Sequence, residues 1–240
     1  MKRFLLMFFL FLISCSEKQR SASETNLDHQ TAEEKPEYKI SGDASGTSDS
    51  DSTVNECIYS DLSNNYIFRT KFKRIAIADQ DSCIVQLDII KRTTNEKIDS
   101  IVGKLGYLYS NAFQNCQNAR SYITGTNATQ EAQDNNYGDL VIADFNFDSK
   151  EDVALINDSG GNGGPLYSFY LQTNNDRFKR NNFLSDTMKI FPSKMLSNTK
   201  TLITYVHAGA CDVSENVFQW NEEKKDFTGI SRTLINICEK

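Results

Sequence analysis

The sequence lacks most of the motifs by which enzymes are recognised. It has no G-x-S-x-G, no H-E-x-x-H and no G-K-[ST], so the hydrolases, zinc proteases and P-loop proteins that carry these motifs are not indicated. Only His29 and His207 are histidines. His207 ends an apolar stretch, where a structural role is favoured over a catalytic one. A catalytic pair of carboxylates, as in glycosidases, is not excluded by the sequence. Such a pair is recognised by the distance between its two carboxyl groups, which a sequence does not give. We expect a protein that is not an enzyme.

Long apolar runs are also missing, except at the start of the chain. Residues 4–13 form an unbroken apolar run after two basic residues, too short to span a bilayer, so residues 1–14 are predicted to be a signal peptide. The sequence LISC, ending at Cys15, resembles the bacterial lipobox, which implies a lipid anchor on Cys15. The alternative is an ordinary secretory signal. Ser16 at the next position resembles lipoproteins sent to an outer membrane, facing either the periplasm or the cell surface.

Large apolar side chains are almost absent from residues 16–56, which carry ten acidic and four basic residues. Such a segment cannot bury enough surface to offset its ordering entropy, so residues 15–56 are predicted to be a disordered tether. Residues 57–240 are enough for a single domain. Their 22 acidic and 20 basic residues leave that domain near neutral, which argues against a nucleic acid partner. The oligomeric state is left open.

No C-x-x-C motif occurs, and the five cysteines of the predicted domain follow an export signal, so structural disulfides are the default. An odd number leaves at least one thiol outside any disulfide within the chain. A disulfide between Cys211 and Cys238, which flank the last predicted hairpin, is favoured over a metal or catalytic pair of His207 and Cys211. The pairing of three cysteines is left open, namely Cys57, Cys83 and Cys116.

Short runs rich in β-branched and aromatic residues recur between polar turn clusters. The predicted strands are residues 66–78, 83–90, 97–102, 139–145, 152–156, 166–172, 201–206, 216–220 and 233–237. Only residues 110–121 are predicted to form a short helix. The sequence therefore predicts an all-β domain of antiparallel hairpins, in a propeller-like or sandwich arrangement, after the disordered N-terminal tether.

Oxygen-bearing side chains crowd between two predicted strands in the sequence DFNFDSKED. Side chains at positions one, three, five and nine of such a loop, with the carbonyl at position seven, can coil around one cation. The predicted ligands are Asp144, Asn146, Asp148, Lys150 and Asp152. All-oxygen ligation indicates Ca²⁺, and the alternative is an acidic turn without metal. Phe145 and Phe147 are expected to hold the loop on the core, and the Glu151 side chain to face solvent.

An EF-hand is excluded, because position twelve is Leu155 instead of a bidentate Glu and the flanks are predicted strands. The loop instead resembles the D-x-D-x-D-G-x-x-D calcium loops of FG-GAP and VCBS-type β-repeats. It departs from them at Ser149, where that pattern has Gly. The resemblance implies a left-handed backbone there, which Ser adopts only at a cost.

Four glycines lie within five positions shortly downstream, in SGGNGGP. They predict a flexible loop whose backbone approaches a partner closely, with a long hairpin connection as the alternative. The predicted partner-binding residues are Ser159, Gly160, Gly161, Asn162, Gly163, Gly164, Pro165 and His207.

The sequences DFNFDSKEDVAL, YSFYL, LITYVHAGAC and FQWNEEKKDFTGI together resemble a family of exported β-rich proteins over about residues 80–238. That family includes Xanthomonas periplasmic immunity proteins and is similar in architecture to periplasmic lysozyme inhibitors. The resemblance implies a propeller-like β-fold, bound calcium and a binding role. We expect a lipid-anchored protein whose calcium-stabilised domain binds and inhibits a cell-wall-degrading glycosidase. The alternative is a surface adhesion or glycan-binding module with structural calcium.

Overall fold

The computed structural model describes residues 54–77, 80–108 and 111–239. The predicted signal peptide, Cys15 and most of the predicted tether lie outside the described residues. The first strand begins at Val54, three residues before the predicted start of the domain. No helix in the described part of the chain is long and apolar enough to cross a membrane.

The first sheet is an antiparallel meander in which each strand pairs with the next one in sequence. Its strands are β1 (Val54–Tyr59), β2 (Tyr66–Ile77), β3 (Gln80–Lys91) and β4 (Glu96–Leu105). Strand β3 alternates as a half-buried strand should: Val85 and Leu87 are fully buried, whereas Ile84 is exposed. One face of this sheet therefore packs on the core.

The second sheet lies in the middle of the sequence and is the most deeply buried. Its strands are β5 (Ala119–Ser121), β6 (Leu140–Ala143), β7 (Asp152–Asp158), β8 (Leu166–Gln172) and β9 (Phe178–Arg180). Strands β5 and β6 are parallel, and the other neighbours are antiparallel. All of β6 and the first five residues of β7 are buried, as expected for strands covered on both faces.

The third sheet is another antiparallel meander. Its strands are β10 (Lys194–Leu196), β11 (Thr201–His207), β12 (Asp212–Asn221) and β13 (Asp226–Asn236). A short π-helix, Phe183–Met188, precedes it, and the Lys189 N–H donates to the Leu184 carbonyl at 2.8 Å. Within this helix, the Ser185 hydroxyl accepts a hydrogen bond from the Phe169 N–H of β8 at 2.9 Å. The π-helix is thereby fixed to the second sheet.

One contiguous hydrophobic core includes residues of all three sheets. Phe191, which follows the π-helix, is fully buried at its centre. Its ring centroid lies 4.4 Å from that of Tyr137, 5.5 Å from Tyr167 and 5.6 Å from Phe145. Aromatic pairs at these separations contribute packing beyond simple burial, so these rings help to hold the segment after the π-helix on the second sheet.

The prediction of an all-β class with antiparallel hairpins is confirmed, and the sheets fit a sandwich-like arrangement. The predicted helix is wrong: the described part of residues 110–121 consists of turns followed by β5. Asn115 and Asn118 favour turns over a helix interior, and the parallel pairing of Arg120 with Val141 on β6 extends the segment that follows. Pairing with a strand distant in sequence therefore determined the conformation at the end of this segment, which local propensity did not predict.

Two disulfides lie in the described structure. The predicted Cys211–Cys238 bond is confirmed, and it joins the start of β12 to the residues after β13. The second bond is Cys57–Cys116, which links β1 to the turn region before β5. Cys83 is buried in β3 and belongs to neither disulfide. The fold brings Cys57 and Cys116 together, and this determines the pairing that the sequence left open.

Candidate functional site

Two loops at opposite ends of β7 contain nearly all of the predicted site residues. The acidic loop, residues 144–151, joins β6 to β7, and the glycine loop, residues 159–165, joins β7 to β8. Because β7 is a rigid strand in the centre of the second sheet, both loops are anchored on the same buried element. Their contacts, however, differ in kind.

Asp152, the predicted ligand that begins β7, is fully buried. Its Oδ2 accepts a hydrogen bond from the Phe145 N–H at 2.9 Å, and its Oδ1 accepts one from the Gln172 N–H at 2.8 Å. Burial raises the pKa of Asp152 well above its ordinary value, and the nearby carboxylates of Asp148 and Asp144 add to the shift. The Asp152 carboxyl group therefore fastens both the acidic loop and the end of β8 to the start of β7.

The other oxygen-bearing side chains of the acidic loop bind its own backbone. Asp144 accepts hydrogen bonds from the N–H groups of Asp148 at 3.0 Å and of Ser149 at 2.8 Å. Asn146 Oδ1 accepts a longer bond from the Asp148 N–H at 3.3 Å. Partial burial raises the pKa of Asp144, and the Asp148 charge raises it further. The loop thus coils around its own oxygen atoms.

The backbone of the acidic loop follows the path that its sequence pattern implies. Ser149 has φ +66° and Phe147 has φ +60°, so Ser149 adopts the left-handed conformation expected of the glycine it replaces, at a cost of about 1–2 kcal/mol. Phe145 is fully buried, and Phe147 packs against the core. As expected, the two phenylalanines hold the loop on the core.

The fit of this loop to calcium rests on its donor types and its coiled backbone, since all of the side-chain donors are oxygen atoms. Within the described residues, no three acidic, histidine or cysteine side chains are grouped so that they could hold one metal ion. The Lys150 side chain also supplies positive charge, because its Nζ lies 3.1 Å from Asp148 Oδ2 and donates to Asn174 Oδ1 at 2.9 Å. An internal ammonium group therefore offsets part of the repulsion between the carboxylates.

Glu151 does not face solvent, and that expectation was wrong. Its side chain is buried, accepting hydrogen bonds from the Ser63 hydroxyl and from Asn65 Nδ2, the latter at 2.9 Å. Its backbone N–H donates to Gln172 Oε1 at 3.1 Å, which turns the side chain toward the connection between β1 and β2. The expectation failed because the partners of Glu151, Ser63 and Asn65, are distant in sequence. A polar group buried this deeply is a structural tie between the first and second sheets.

The glycine loop is held in place by contacts that only glycine permits. Gly160 has φ +64°, and a Cβ there would lie 2.1 Å from the Gly164 carbonyl oxygen. Gly164 has φ +89°, and its Cβ would lie 2.1 Å from the Asp134 carbonyl oxygen. These glycines therefore serve close approach of the chain to itself, which differs from the expectation of a flexible loop.

Asn135, which sequence reasoning missed, fixes the glycine loop to the third sheet. Its Nδ2 donates to the Gly163 carbonyl at 3.0 Å and to the Tyr205 carbonyl of β11 at 2.9 Å. Asn135 itself has φ +61°, a conformation that Asn tolerates better than most residues. That tolerance and the adjacent Asp134 and Asn136 are the signals that could have marked this segment as a tight turn.

Only the tip of the glycine loop is presented to solvent. Gly160, Gly161 and Asn162 are exposed, whereas Ser159, Gly164 and Pro165 are buried. The three tip residues are therefore the part of this predicted partner-binding loop that is most accessible to a partner.

The structure brings the glycine loop together with His207 in one cleft of about 430 Å³. His207 is exposed at the end of β11, and its side chain makes no hydrogen bond or ion pair with any described residue. His207 is therefore exposed and not buried within the apolar stretch that it ends, because β11 reaches the surface by its last residue. Two predicted partner-binding elements, distant in sequence, share one surface.

The ionisable residues around this cleft are basic or neutral. Lys189 and Arg232 line it with His207, and no acidic side chain does so in the described part of the chain. Arg232 Nε donates to the Ser214 hydroxyl at 3.1 Å, which orients its guanidinium group. Apolar side chains of Met188, Ile190 and Val206 complete the wall. The cleft thus combines an apolar wall with positive charge.

Comparisons with known proteins found a similar solved structure. No protein family profile matches it, and no curated protein matches it. A chain described as "Structure of a Xanthomonas Type IV Secretion System related protein" is similar to it, with a TM-score of 0.48 and 14% sequence identity. The similarity covers 78% of this chain and 90% of that chain.

Proposed function

We propose that this protein is a binding protein of the bacterial cell envelope whose cleft engages and blocks a cell-wall-degrading glycosidase. The observation that carries this proposal is the joining of the glycine loop, with its exposed residues Gly160 and Gly161, and His207 in a cleft whose charged neighbours are basic. Glycosidases carry a pair of carboxylates at the reacting bond. A basic, partly apolar surface is complementary to such a site.

A binding role without catalysis is supported by the surroundings of His207. A general base needs a positioning partner and a reacting group within hydrogen-bond reach. The cleft offers neither an acidic partner for His207 nor a nucleophile paired with it among the described residues. The glycine tip instead offers bare backbone, which can approach another protein closely.

Calcium enters this proposal as a structural ion. Asp144, Asn146, Asp148, Asp152 and the carbonyl of Lys150 would hold it, and its charge would offset the repulsion between the carboxylates. The acidic loop lies at the other end of β7 from the cleft. The ion would therefore stabilise the strand that positions the glycine loop, without touching a partner.

The lipid anchor on Cys15 is tested by the variant Cys15→Ala. Acylation requires the thiol, so this variant is expected to leave the membrane fraction or to keep its signal peptide. Fractionation and mass measurement of the purified protein decide between these outcomes. Unchanged membrane retention of a correctly processed variant contradicts the anchor.

The glycosidase proposal is tested at the tip by Gly161→Asp. A Cβ at Gly161 meets no atom within 4 Å, so the fold accepts the change, while the new carboxylate repels an acidic partner site. Inhibition of a sensitive lysozyme-like enzyme is expected to weaken by about tenfold or more. The matched control is Gly229→Asp on exposed β13, where a Cβ is equally unobstructed.

Three results would count against this assignment. If no enzyme in a broad panel of wall hydrolases is inhibited by the wild-type protein, the inhibitor role fails. Equal weakening by both glycine variants means that the tip is not the contact surface. Retention of wall glycans together with absent inhibition supports the glycan-binding alternative.

A further inference from the structure

A second, smaller pocket of about 200 Å³ surrounds Arg120 of β5. Its lining is mainly polar and includes the side-chain amides of Asn118, Gln133 and Asn136. Arg120 itself is 6% exposed, so nearly the whole guanidinium side chain lies inside the protein. This pocket is separate from the glycine loop cleft, since the two have no lining residue in common.

The contacts of Arg120 leave its charge unmatched. Nη1 donates to the Gln130 carbonyl at 2.8 Å, and the guanidinium carbon lies 5.3 Å from the centre of the Tyr137 ring. Nε is sealed from solvent and makes no hydrogen bond. No carboxylate in the described part of the chain lies within ion-pairing distance of Arg120. An Arg side chain has five N–H donors, and that of Nε is the one in Arg120 that is both sealed from solvent and without an acceptor.

The acidic groups nearest in the fold do not supply the missing charge. Asp139 is buried, but its carboxyl group accepts a hydrogen bond from the Phe113 N–H at 2.7 Å. Burial raises the pKa of Asp139 to about 6. Glu131 lines the pocket, but it is exposed and forms no ion pair with Arg120. A buried charge without a paired counter-charge is energetically unfavourable.

From this geometry we infer that the Arg120 pocket binds a carboxylate group from outside the chain. A carboxylate accepts two parallel hydrogen bonds from a guanidinium fork, which is the geometry that Arg matches best. Side-chain amides in the wall supply additional donors. The site follows from the contacts of Arg120 alone, so it does not depend on the glycosidase proposal.

The pocket favours a carboxylate over a phosphate because it contains a single cation. A phosphate carries up to two negative charges and is bound by several cations or by a cradle of backbone N–H groups. Neither surrounds Arg120, and Glu131 on the wall repels additional negative charge. A group with one negative charge and two coplanar oxygens is therefore the best match.

The carboxylate has two sources, a free small molecule or an acidic side chain of another protein, and the experiment separates them. The Nε–H resonance of Arg120 in the whole protein is followed by NMR during titration. The small-molecule probes are sodium acetate, sodium chloride at equal ionic strength and inorganic phosphate. The peptide probes are a blocked peptide that contains one Asp and, as its control, the same peptide with Asn in place of Asp. We expect acetate or the Asp peptide to shift this resonance and to raise the melting temperature, whereas chloride and the Asn peptide do neither.

Variants connect the signal to the pocket. Arg120→Lys keeps the charge and loses the fork, so carboxylate affinity is expected to fall by about tenfold or more. Because Arg120 is buried and its replacement can impair folding, two wall variants provide an independent test through resonances of the pocket backbone and the melting temperature. Glu131→Gln is expected to tighten carboxylate binding and Gln133→Glu to weaken it. Glu223→Gln, in an exposed turn far away in sequence, is the control with the same change of charge as Glu131→Gln.

Each result has a defined meaning. Tighter binding of the Asp peptide than of acetate assigns the carboxylate to a partner protein, and equal binding assigns it to a free small molecule. If acetate and the Asp peptide act no differently from chloride, the proposal is overturned and Arg120 is a structural residue held by Gln130 and Tyr137. Equal binding of phosphate overturns the assignment to a carboxylate. Identical affinities in wild type, Glu131→Gln and Gln133→Glu place the binding elsewhere on the protein.

Discussion

The acidic loop and the glycine loop are attached to opposite ends of the same buried strand, β7, but different kinds of contact hold them. At its start, the acidic loop turns carboxylate and amide oxygens inward, where backbone N–H groups and Lys150 meet them. At its end, the glycine loop uses residues without side chains to expose backbone at the surface. Side chains rich in polar atoms thus stabilise one end, and the lack of side chains makes the other end available for contact. A dense run of acidic residues in a sequence therefore does not by itself indicate side chains that point into solvent.

The strongest test of this contrast compares the aspartates at the two ends of the strand. Asp152→Ala leaves two buried N–H groups, of Phe145 and Gln172, without an acceptor, and is expected to lower the free energy of unfolding by about 3–5 kcal/mol. Asp158 is half-buried and accepts hydrogen bonds from the N–H groups of Gly160 and Tyr107. Because water can reach these groups, Asp158→Ala is expected to cost only about 1–2 kcal/mol. Urea unfolding of both variants measures the difference, and equal costs would remove the distinction between the two ends.

A pH titration sharpens the comparison, because the glycine-loop end also holds a buried acid. The Asp139 carbonyl accepts a hydrogen bond from the Ile156 N–H at 3.0 Å, and burial raises the pKa of the Asp139 carboxyl from 3.8 to about 6. The folded protein therefore binds this proton more tightly than the unfolded chain does. The resulting stability is fully present below about pH 4 and is lost as the pH rises through about 6, a difference of about 3 kcal/mol.

The variant Asp139→Asn cannot titrate at this position, so its stability is expected to depend less on pH between 4 and 7. Urea unfolding across that range gives the slope for both proteins. Wild type and variant with the same slope would mean that Asp139 is ionised in the folded state. Asp152 titrates in the same direction, and for that reason a reduced slope is expected instead of a flat one.

The effect of calcium on stability shows whether the acidic loop needs a bound ion for its full stability. If the ion binds only the folded protein, it stabilises by about 2.7 kcal/mol at a hundredfold excess over Kd, and the melting temperature rises with calcium. Asp148→Ala is expected to abolish most of this rise. The control is Glu223→Ala in an exposed turn, since Glu151 of the acidic loop itself is buried. The same melting temperature in chelator and in millimolar calcium, with no metal found by elemental analysis, would make the loop an acidic turn.

Local sequence predicted the features that depend on local chemistry. The predicted strand 166–172 matches β8, whose alternating side chains show the period of a strand. The left-handed backbone at Ser149 followed from the loop pattern, and the Cys211–Cys238 bond followed from the hairpin that it closes. Each of these depends on residues close together in the chain or on a single hairpin.

Features that depend on distant pairing were missed. Strand β1 is held by β2 and by the Cys57–Cys116 bond, and its own sequence is too short and mixed to mark it as a strand. Arg120 was placed in a predicted helix, although parallel pairing with Val141 buries it in the second sheet. The Glu151 side chain was expected to face solvent, because its hydrogen-bond partners Ser63 and Asn65 are too distant in sequence to be predicted from its neighbours. Tertiary contacts decide such cases.

The burial of Cys83 in β3 has a consequence for how the chain acquires its disulfides. Cys83 lies between Cys57 and Cys116 in sequence, so a chain that emerges from its N-terminus exposes Cys83 to Cys57 before the native partner is present. A hairpin such as β2–β3 forms in about 1–10 μs, whereas disulfides form over seconds or longer. Cys83 shares the buried face of β3 with Val85 and Leu87, so its thiol is out of reach once the first sheet packs on the core. Folding that is faster than oxidation thus protects the chain from a wrong covalent bond.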